Sequence, residues 1–300
     1  MSAELQELRL GGKAKLAAVL ARLEAAPEDA ALVALLTAAY LAPIGQVIGL
    51  TGPPGVGKST LAGALISAYR ARRKSVGVIA VDPSSRRTGG ALLGDRVRLR
   101  TDPEDQQVFI RSMAARDQLG GLAEITFSAM VLMRAVYDIV LVETVGVGQS
   151  ETDIAMAADT VVFCVQPGSG DSLQFMKAGI VEIPDIVAVT KGDMGHAAIR
   201  AKADVKGALG LAANADWVVP VKIVTATSGE GLPGLMDEIA AHWDWLGREG
   251  RLAERRRVQA ESWLKQAIKE RYGREGLKRL GVISLAPETA PFGMLARADD

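Results

Sequence analysis

The stretch Gln46-Val-Ile-Gly-Leu-Thr-Gly-Pro-Pro-Gly-Val-Gly-Lys-Ser-Thr60 decides how the rest of the chain is read. An apolar run leads into GxxxxGKS, complete from Gly52 through Gly57, Lys58 and Ser59, and a helical pattern starting Leu61-Ala-Gly-Ala-Leu65 follows. A glycine-rich turn between a strand and a helix is the context in which this motif binds phosphate. Backbone N–H groups of Gly52, Pro53, Pro54, Gly55, Val56, Gly57, Lys58, Ser59 and Thr60 (the prolines excepted as donors) would face inward, with the positive end of the helix behind them. Lys58 would reach the β- and γ-phosphates, and the Ser59 hydroxyl would ligate Mg²⁺. The chain is therefore expected to bind a nucleoside triphosphate.

Working outward, strands and helices alternate from Gln46 onward. The patterns predict strands at 46–51, 75–81, 107–111, 138–143, 160–166, 185–190 and 218–224, and helices around 58–73, 121–136, 195–211 and 232–246. Several strands are unbroken Val/Ile/Leu runs, as expected where both faces of a sheet are covered. The expected fold is α/β, a doubly wound, mostly parallel P-loop sheet with N- and C-terminal helical extensions, and the ligand at the carboxyl ends of its strands. Residues 1–43 form the N-terminal extension, 44–246 the nucleotide-binding domain, and 247–300 a C-terminal arm and tail. In the first segment, Leu16, Val19, Leu20 and Leu23 recur at helical spacing, and Pro27-Glu-Asp29 reads as the start of a second helix, with Pro and acids in its first turn.

The loops at the strand ends carry the remaining chemistry. Asp82 opens a polar, glycine-rich segment that runs through Gly89-Gly90 to Asp95 and suits a loop ordered by Mg²⁺ and a γ-phosphate, although Asp-Pro-Ser is also ordinary turn chemistry. The strand Asp138-Ile-Val-Leu-Val-Glu143 ends in a carboxylate where P-loop proteins place a metal-site or water-positioning acid. Gly146 just beyond it would offer an N–H to the γ-phosphate, and Gln149 is a candidate switch residue. Thr190-Lys-Gly-Asp193 ends a later strand. The Asp193 carboxylate can accept from N1–H and the amino group of guanine while the Lys191 stem packs along the base, a donor pair adenine lacks. Backbone groups of Thr225, Ala226 and Thr227 could meet the guanine carbonyl. Lys177 sits in a second glycine-rich loop beginning at Pro167, for which a simple helix entry is an equal reading.

Bulk properties narrow the field. Charges balance at 35 basic against 35 acidic, so no global basic field argues for nucleic acid. One cysteine and two histidines exclude a disulfide framework and leave little for a Cys/His metal site. Cys164 lies in an apolar run and reads as a core thiol. The longest apolar stretch, Ala30 to Ala42, is too short to span a bilayer, and Met-Ser-Ala-Glu does not open like a signal peptide, so a cytoplasmic, membrane-free location is expected.

Together, GLTGPPGVGKST, VIAVDPSSRRTGGALLGDRVRL, FIRSMAARDQLGGLAEIT, DIVLVETVGVGQSE and PGSGDSLQFMKAGIVEIPDIVAVTKGD resemble one family, the cobalamin-chaperone GTPases associated with methylmalonyl-CoA mutase. Departures are TKGD where the family has NKAD, Ala178 where it usually has Arg, and an altered loop before Gly120. The resemblance implies a GTPase of low intrinsic rate that controls delivery of adenosylcobalamin to a cobalamin-dependent acyl-CoA mutase, the cobalamin sitting on the mutase. It implies Ser59, Asp82, Asp95 and Glu143 as the Mg²⁺ and switch set, with Lys58, Glu143 and Asp95 catalytic and Lys177 reading the client. It also implies a homodimer, for which the stripe Ala260, Leu264, Ile268 and Tyr272 in the basic segment 247–279 is the expected arm, the alternative being packing on its own domain. Two rival activities stay open, a metal-insertion GTPase of the nickel-chaperone type and a small-molecule kinase of the arginine/ornithine transport type. The tail Ala286 to Asp300, with Pro287 and Pro291, is expected to lack regular structure.

Overall fold

A computed structural model describes residues 2–83, 102, 104–115, 124–144, 154–168, 182–210, 216–286 and 288–297. Three helices, α1 (Ala3–Leu10), α2 (Gly12–Ala25) and α3 (Ala30–Leu41), precede β1 (Gln46–Thr51) and α4 (Lys58–Ala71). Then come β2 (Val76–Pro83), β3 (Val108–Ala115), α5 (Glu124–Arg134), β4 (Ile139–Thr144), β5 (Thr160–Val165) and β6 (Ile186–Val189). The order closes with α6 (His196–Gly210), β7 (Val221–Ile223), α7 (Leu232–Leu246), α8 (Arg251–Leu280) and α9 (Phe292–Arg297). All seven strands pair in parallel in the order β3-β2-β4-β1-β5-β6-β7, so the expected doubly wound sheet is what forms.

Alternation along the strands explains why unbroken apolar runs suit this sheet. Val47, Val140, Val142 and Val161 point to one face and join a core with α1, α2, α3, α5, α8 and α9. Ile48, Leu50, Leu141, Val162 and Cys164 point to the other and pack on α4 and α7. Neither face meets water, so both residues of each pair must be apolar. Burial pushes the Cys164 thiol up to about 12, so it stays protonated and inert.

The strand starts share one device, which no sequence motif announces. Asp138, Asp159 and Asp185 each lie just before a strand and accept a backbone N–H at or just ahead of the start of a neighbouring strand. Asp138 Oδ2 accepts from Ser75 N at 2.8 Å, Asp159 Oδ2 from Val47 N at 2.8 Å and Asp185 Oδ2 from Val161 N at 2.7 Å. The last two carboxylates are also gripped by consecutive arginines of α8. Arg255 donates to Asp185 at 2.9 and 2.7 Å, and Arg256 to Asp159 at 2.8 and 2.7 Å. His242 of α7, itself fully buried, lies between Thr160 Oγ1, 2.9 Å from Nδ1, and Asp185 Oδ1, 3.3 Å from Nε2.

This clamp bears on the C-terminal arm. Ala260, Leu264 and Ile268 are fully buried in the chain's own core and Tyr272 packs half-buried against it, so the stripe follows the alternative of packing on its own domain. The tail also differs from expectation, because Phe292–Arg297 is helical. Phe292 packs against Trp263 (ring centroids 5.2 Å) and Tyr40 (6.4 Å), and that burial outweighs the absence of a long helical pattern. Pro27 and Glu28 lie ahead of α3 rather than in its first turn. Asp29 is its N-cap, accepting from Ala31 N at 2.8 Å and Leu32 N at 3.3 Å.

Candidate nucleotide site

The ends of β1, β4, β6 and β7 bring the predicted groups together. The chain leaves β1 at Gly52, whose φ is +132° and where a Cβ would lie 2.2 Å from the Cys164 carbonyl oxygen of β5. Only glycine fits there, because the backbone of the next strand occupies the side-chain position. Gly55 and Gly57 also take positive φ, 76° and 96°, and the turn delivers Lys58 as the first residue of α4. Pro54, Gly55 and Thr60 are exposed and Pro53 partly so, whereas Val56 is buried and pins the loop to the core under α4.

Lys58 is buried, and its ammonium donates to the carbonyl oxygens of Gly52 at 2.7 Å and Pro53 at 2.8 Å. Behind the loop, the Ser59 hydroxyl donates to Glu143 Oε1 at 2.6 Å, joining the first turn of α4 to the end of β4. The buried Thr144 hydroxyl lies next to it in sequence and donates to Thr51 Oγ1 at 3.2 Å beneath the loop. Ser59 and Glu143 therefore present adjacent hard oxygens, which is donor chemistry that fits Mg²⁺.

The base-reading turn lies at the ends of β6 and β7. Lys191 is left-handed (φ 52°, ψ 46°), exposed, and donates from Nζ to the Gln166 side chain after β5. Gly192 is pressed against the following strand. A Cβ there would stand 2.7 Å from Ile223 Cγ2 and 2.8 Å from Thr225 Oγ1, and its N–H reaches Val224 O at 3.2 Å. That contact fixes a short 3-10 turn, Gly192–Met194, which leaves Asp193 exposed. Thr225 is buried and bridges Glu230, Ala226 packs on the core, and Thr227 is exposed.

Asp82 lies near the end of β2, in register with Ala114 of β3, and its side chain is outside the described residues. Asp95, Gly146, Gln149 and Lys177 also lie outside them. Two features escaped the sequence reading, the Gln166 partner of Lys191 and the inward turn of the Thr190 hydroxyl. Neither residue type has a motif that announces it.

A parallel sheet with this turn between β1 and α4, and an acid at the end of β4, defines a P-loop GTPase fold. The chain belongs to the family described as methylmalonyl Co-A mutase-associated GTPase MeaB, whose model matches residues 16–277. It is a GTP hydrolase of that family. Among similar proteins, one from Pyrococcus abyssi that carries a provisional GTPase name is 45% identical over 232 residues, 74% of this chain and 70% of its own length. The mouse protein named methylmalonic aciduria type A homolog, mitochondrial, is 38% identical over 233 residues, 76% of this chain and 56% of its own. A solved structure described as LAO/AO transport system kinase superposes with a TM-score of 0.70 at 26% identity, covering 98% of this chain and 95% of that one. The HypB structure from Helicobacter pylori, at 17% identity, TM-score 0.52 and covering 70% of this chain and 92% of that one, shares the fold.

Proposed function

We propose that the chain is a Mg²⁺-dependent GTPase switch that binds a cobalamin-dependent acyl-CoA mutase and gates the loading and protection of its adenosylcobalamin. The observation that carries the nucleotide half is the 2.6 Å contact between Ser59 and Glu143 directly behind the P-loop, where a metal bound to the β- and γ-phosphates would be met. The family's description and the name of the mouse relative support the mutase as partner.

In this reading Lys58 exchanges the carbonyls of Gly52 and Pro53 for phosphate oxygens as GTP enters, while the P-loop amides hold the phosphates from the other side. Ser59 and Glu143 hold Mg²⁺, which when bound neutralises charge on the phosphates. Asp193 selects guanine, Lys191 covers the base, and Thr225, Ala226 and Thr227 meet its carbonyl. The loops bearing Asp82, Asp95, Gly146, Gln149 and Lys177 respond to the γ-phosphate and read the client. A homodimer belongs to the proposal, through a surface other than the buried 260–268 stripe.

Recovery of partners by the tagged protein from native lysate, with GDP or a non-hydrolysable GTP analogue, tests the proposal. A cobalamin-dependent mutase recovered in unequal yield supports the switch, and no mutase in either state overturns it. The kinase reading is favoured by the name of one solved relative. Labelled γ-phosphate appearing on arginine or ornithine, rather than as free phosphate, would establish it. Against metal insertion, Cys164 and His242 are both fully buried, which leaves His196 as the one exposed residue among the chain's single cysteine and two histidines.

A further inference from the structure

The chain that leaves the sheet at Glu143 and Thr144 returns to it at Ile154, and both ends come down on β1 just ahead of the P-loop. At the leaving end, Thr144 Oγ1 meets Thr51 Oγ1 at 3.2 Å. At the returning end, the 3-10 turn Ile154–Met156 lies on Gly49, where a Cβ would stand 2.7 Å from Ile154 Cγ1 and 2.8 Å from Ala158 Cβ. The two footings, Thr51 and Gly49, are about 7 Å apart at the rise of a β-strand. Gln259, one turn after Arg255 on α8, holds the returning end. Its amide nitrogen donates to Ala155 O at 2.9 Å and to Ala158 O at 2.8 Å, and Arg255 Nε reaches Ala158 O at 3.3 Å. Gln259 is 4% exposed, and its Oε1 is buried without a partner among the described residues. An unpaired buried acceptor costs stability, so the two donated bonds are what this side chain contributes. Turning the amide over would set its oxygen against two carbonyls.

We propose that Gln259 is a positioning residue for GTP hydrolysis: it fixes where the chain from Glu143 returns to the sheet, and so sets the reach of Gly146 and Gln149 toward the γ-phosphate. It acts from the far side, because α8 packs on the sheet face opposite α4. Ile154 and Ala158 are fully buried, so the return point has an apolar seat on Gly49 and is locked there by the amide. Misplacing a reacting or orienting group by about 1 Å costs up to about a hundredfold in rate, while phosphate binding by the P-loop amides does not depend on the return point. The inference rests on the roles proposed above for Gly146 and Gln149.

Gln259→Met keeps the length of the side chain and loses both donors. Its single-turnover rate of GTP hydrolysis should fall roughly ten- to hundredfold, with the Kd for GDP and the KM for GTP within about twofold of the parent. Leu264→Ala, further along α8 and fully buried in the same core, is the control for lost stability. At a temperature where it stays folded, its rate should remain within about threefold of the parent. A rate in Gln259→Met within that same range overturns the proposal. So does an equal loss in Leu264→Ala, which would make the effect one of general stability, or a loss carried wholly by KM, which would make it one of binding. Hydrogen exchange on the parent decides the matter even if Gln259→Met does not fold. Amides of 154–158 should exchange at rates within about threefold of each other with GDP and with a non-hydrolysable GTP analogue, and a larger difference overturns the fixed return point. A parent that hydrolyses no GTP brings down the nucleotide site and the anchor together, whereas an active parent beside an equally active Gln259→Met brings down the anchor alone.

Discussion

Replacing Asp159 by alanine should weaken the fold more than any change at the nucleotide end, without touching nucleotide affinity. The carboxylate is fully buried and makes three contacts, from Val47 N at 2.8 Å, Arg256 Nε at 2.8 Å and Arg256 Nη2 at 2.7 Å. Truncation leaves the second amide of β1 without its acceptor and the guanidinium, whose side chain is 11% exposed, with Gly45 O at 3.1 Å and the Trp243 ring 5.8 Å away in its place. Breaking one partner of a buried pair costs about 3–5 kcal/mol, because the remaining charge stays desolvated. At about 2–4 °C per kcal/mol for a chain of this size, the melting temperature should fall roughly 6–20 °C. Differential scanning calorimetry, with GDP titrations by calorimetry alongside, reads both quantities. Asp159→Ala combined with Arg256→Met removes both charges and should recover part of the loss, since an apolar pair of similar volume is often neutral there. A melting point within about 2 °C of the parent, or strict additivity in the double variant, would refute the claim that α8 is bolted to the sheet through this pair.

Acid should act through the same end of the sheet. Burial raises the Asp185 carboxyl, but the His242 ring and the Arg255 guanidinium outweigh it and hold it below the ordinary aspartate value. Asp138 is likewise displaced downward, burial again opposing and the Ser75 hydrogen bonds prevailing. Both stabilise the fold above the unfolded aspartate value of about 3.9 and lose that contribution as pH falls through their lower folded values, so a urea midpoint measured from pH 6 downward should drop below about pH 4, and Asp185→Asn should flatten the drop. Gly52→Ala forces a Cβ to within 2.2 Å of a backbone oxygen at φ +132°, and fluorescent-GDP binding should be lost; binding within threefold of the parent would contradict the close approach. Ser59→Ala removes the hydroxyl that meets Glu143, and we expect kcat/KM for GTP to fall about a hundredfold with a raised Mg²⁺ requirement, whereas an unshifted Mg²⁺ titration would take Ser59 out of the metal site.

How much could be read beforehand depended on whether the determinant was local. The P-loop is a contiguous string whose glycines, lysine and serine each have one task, and it formed where the motif put it. Strands covered on both faces show as apolar runs, so all seven were visible, although β2 and β3 run on to Pro83 and Ala115 because each supplies the other's ladder. What escaped was decided by distant partners. Ala260, Leu264 and Ile268 repeat at helical spacing, and spacing does not tell a core face from an interface. Pro291 read as a breaker, yet it sits just ahead of α9, where its carbonyl accepts Met294 N at 3.1 Å and its missing N–H costs nothing.

The two ends of the sheet follow opposite rules. At the carboxyl ends the groups proposed to meet GTP make exchangeable contacts: Lys58 on loop carbonyls, Ser59 on Glu143, Lys191 on Gln166. Each can be traded for a ligand atom at small cost, because one polar partner replaces another. At the amino ends Asp159 and Asp185 hold strand amides and arginines in a buried lattice with nothing to trade for. If the chain acts as the proposed switch, this arrangement confines nucleotide-driven change to the carboxyl-end loops, since moving α8 would strand two buried charges. On that proposal the helical extensions serve as a rigid base, and the client would sense GTP at the loop end.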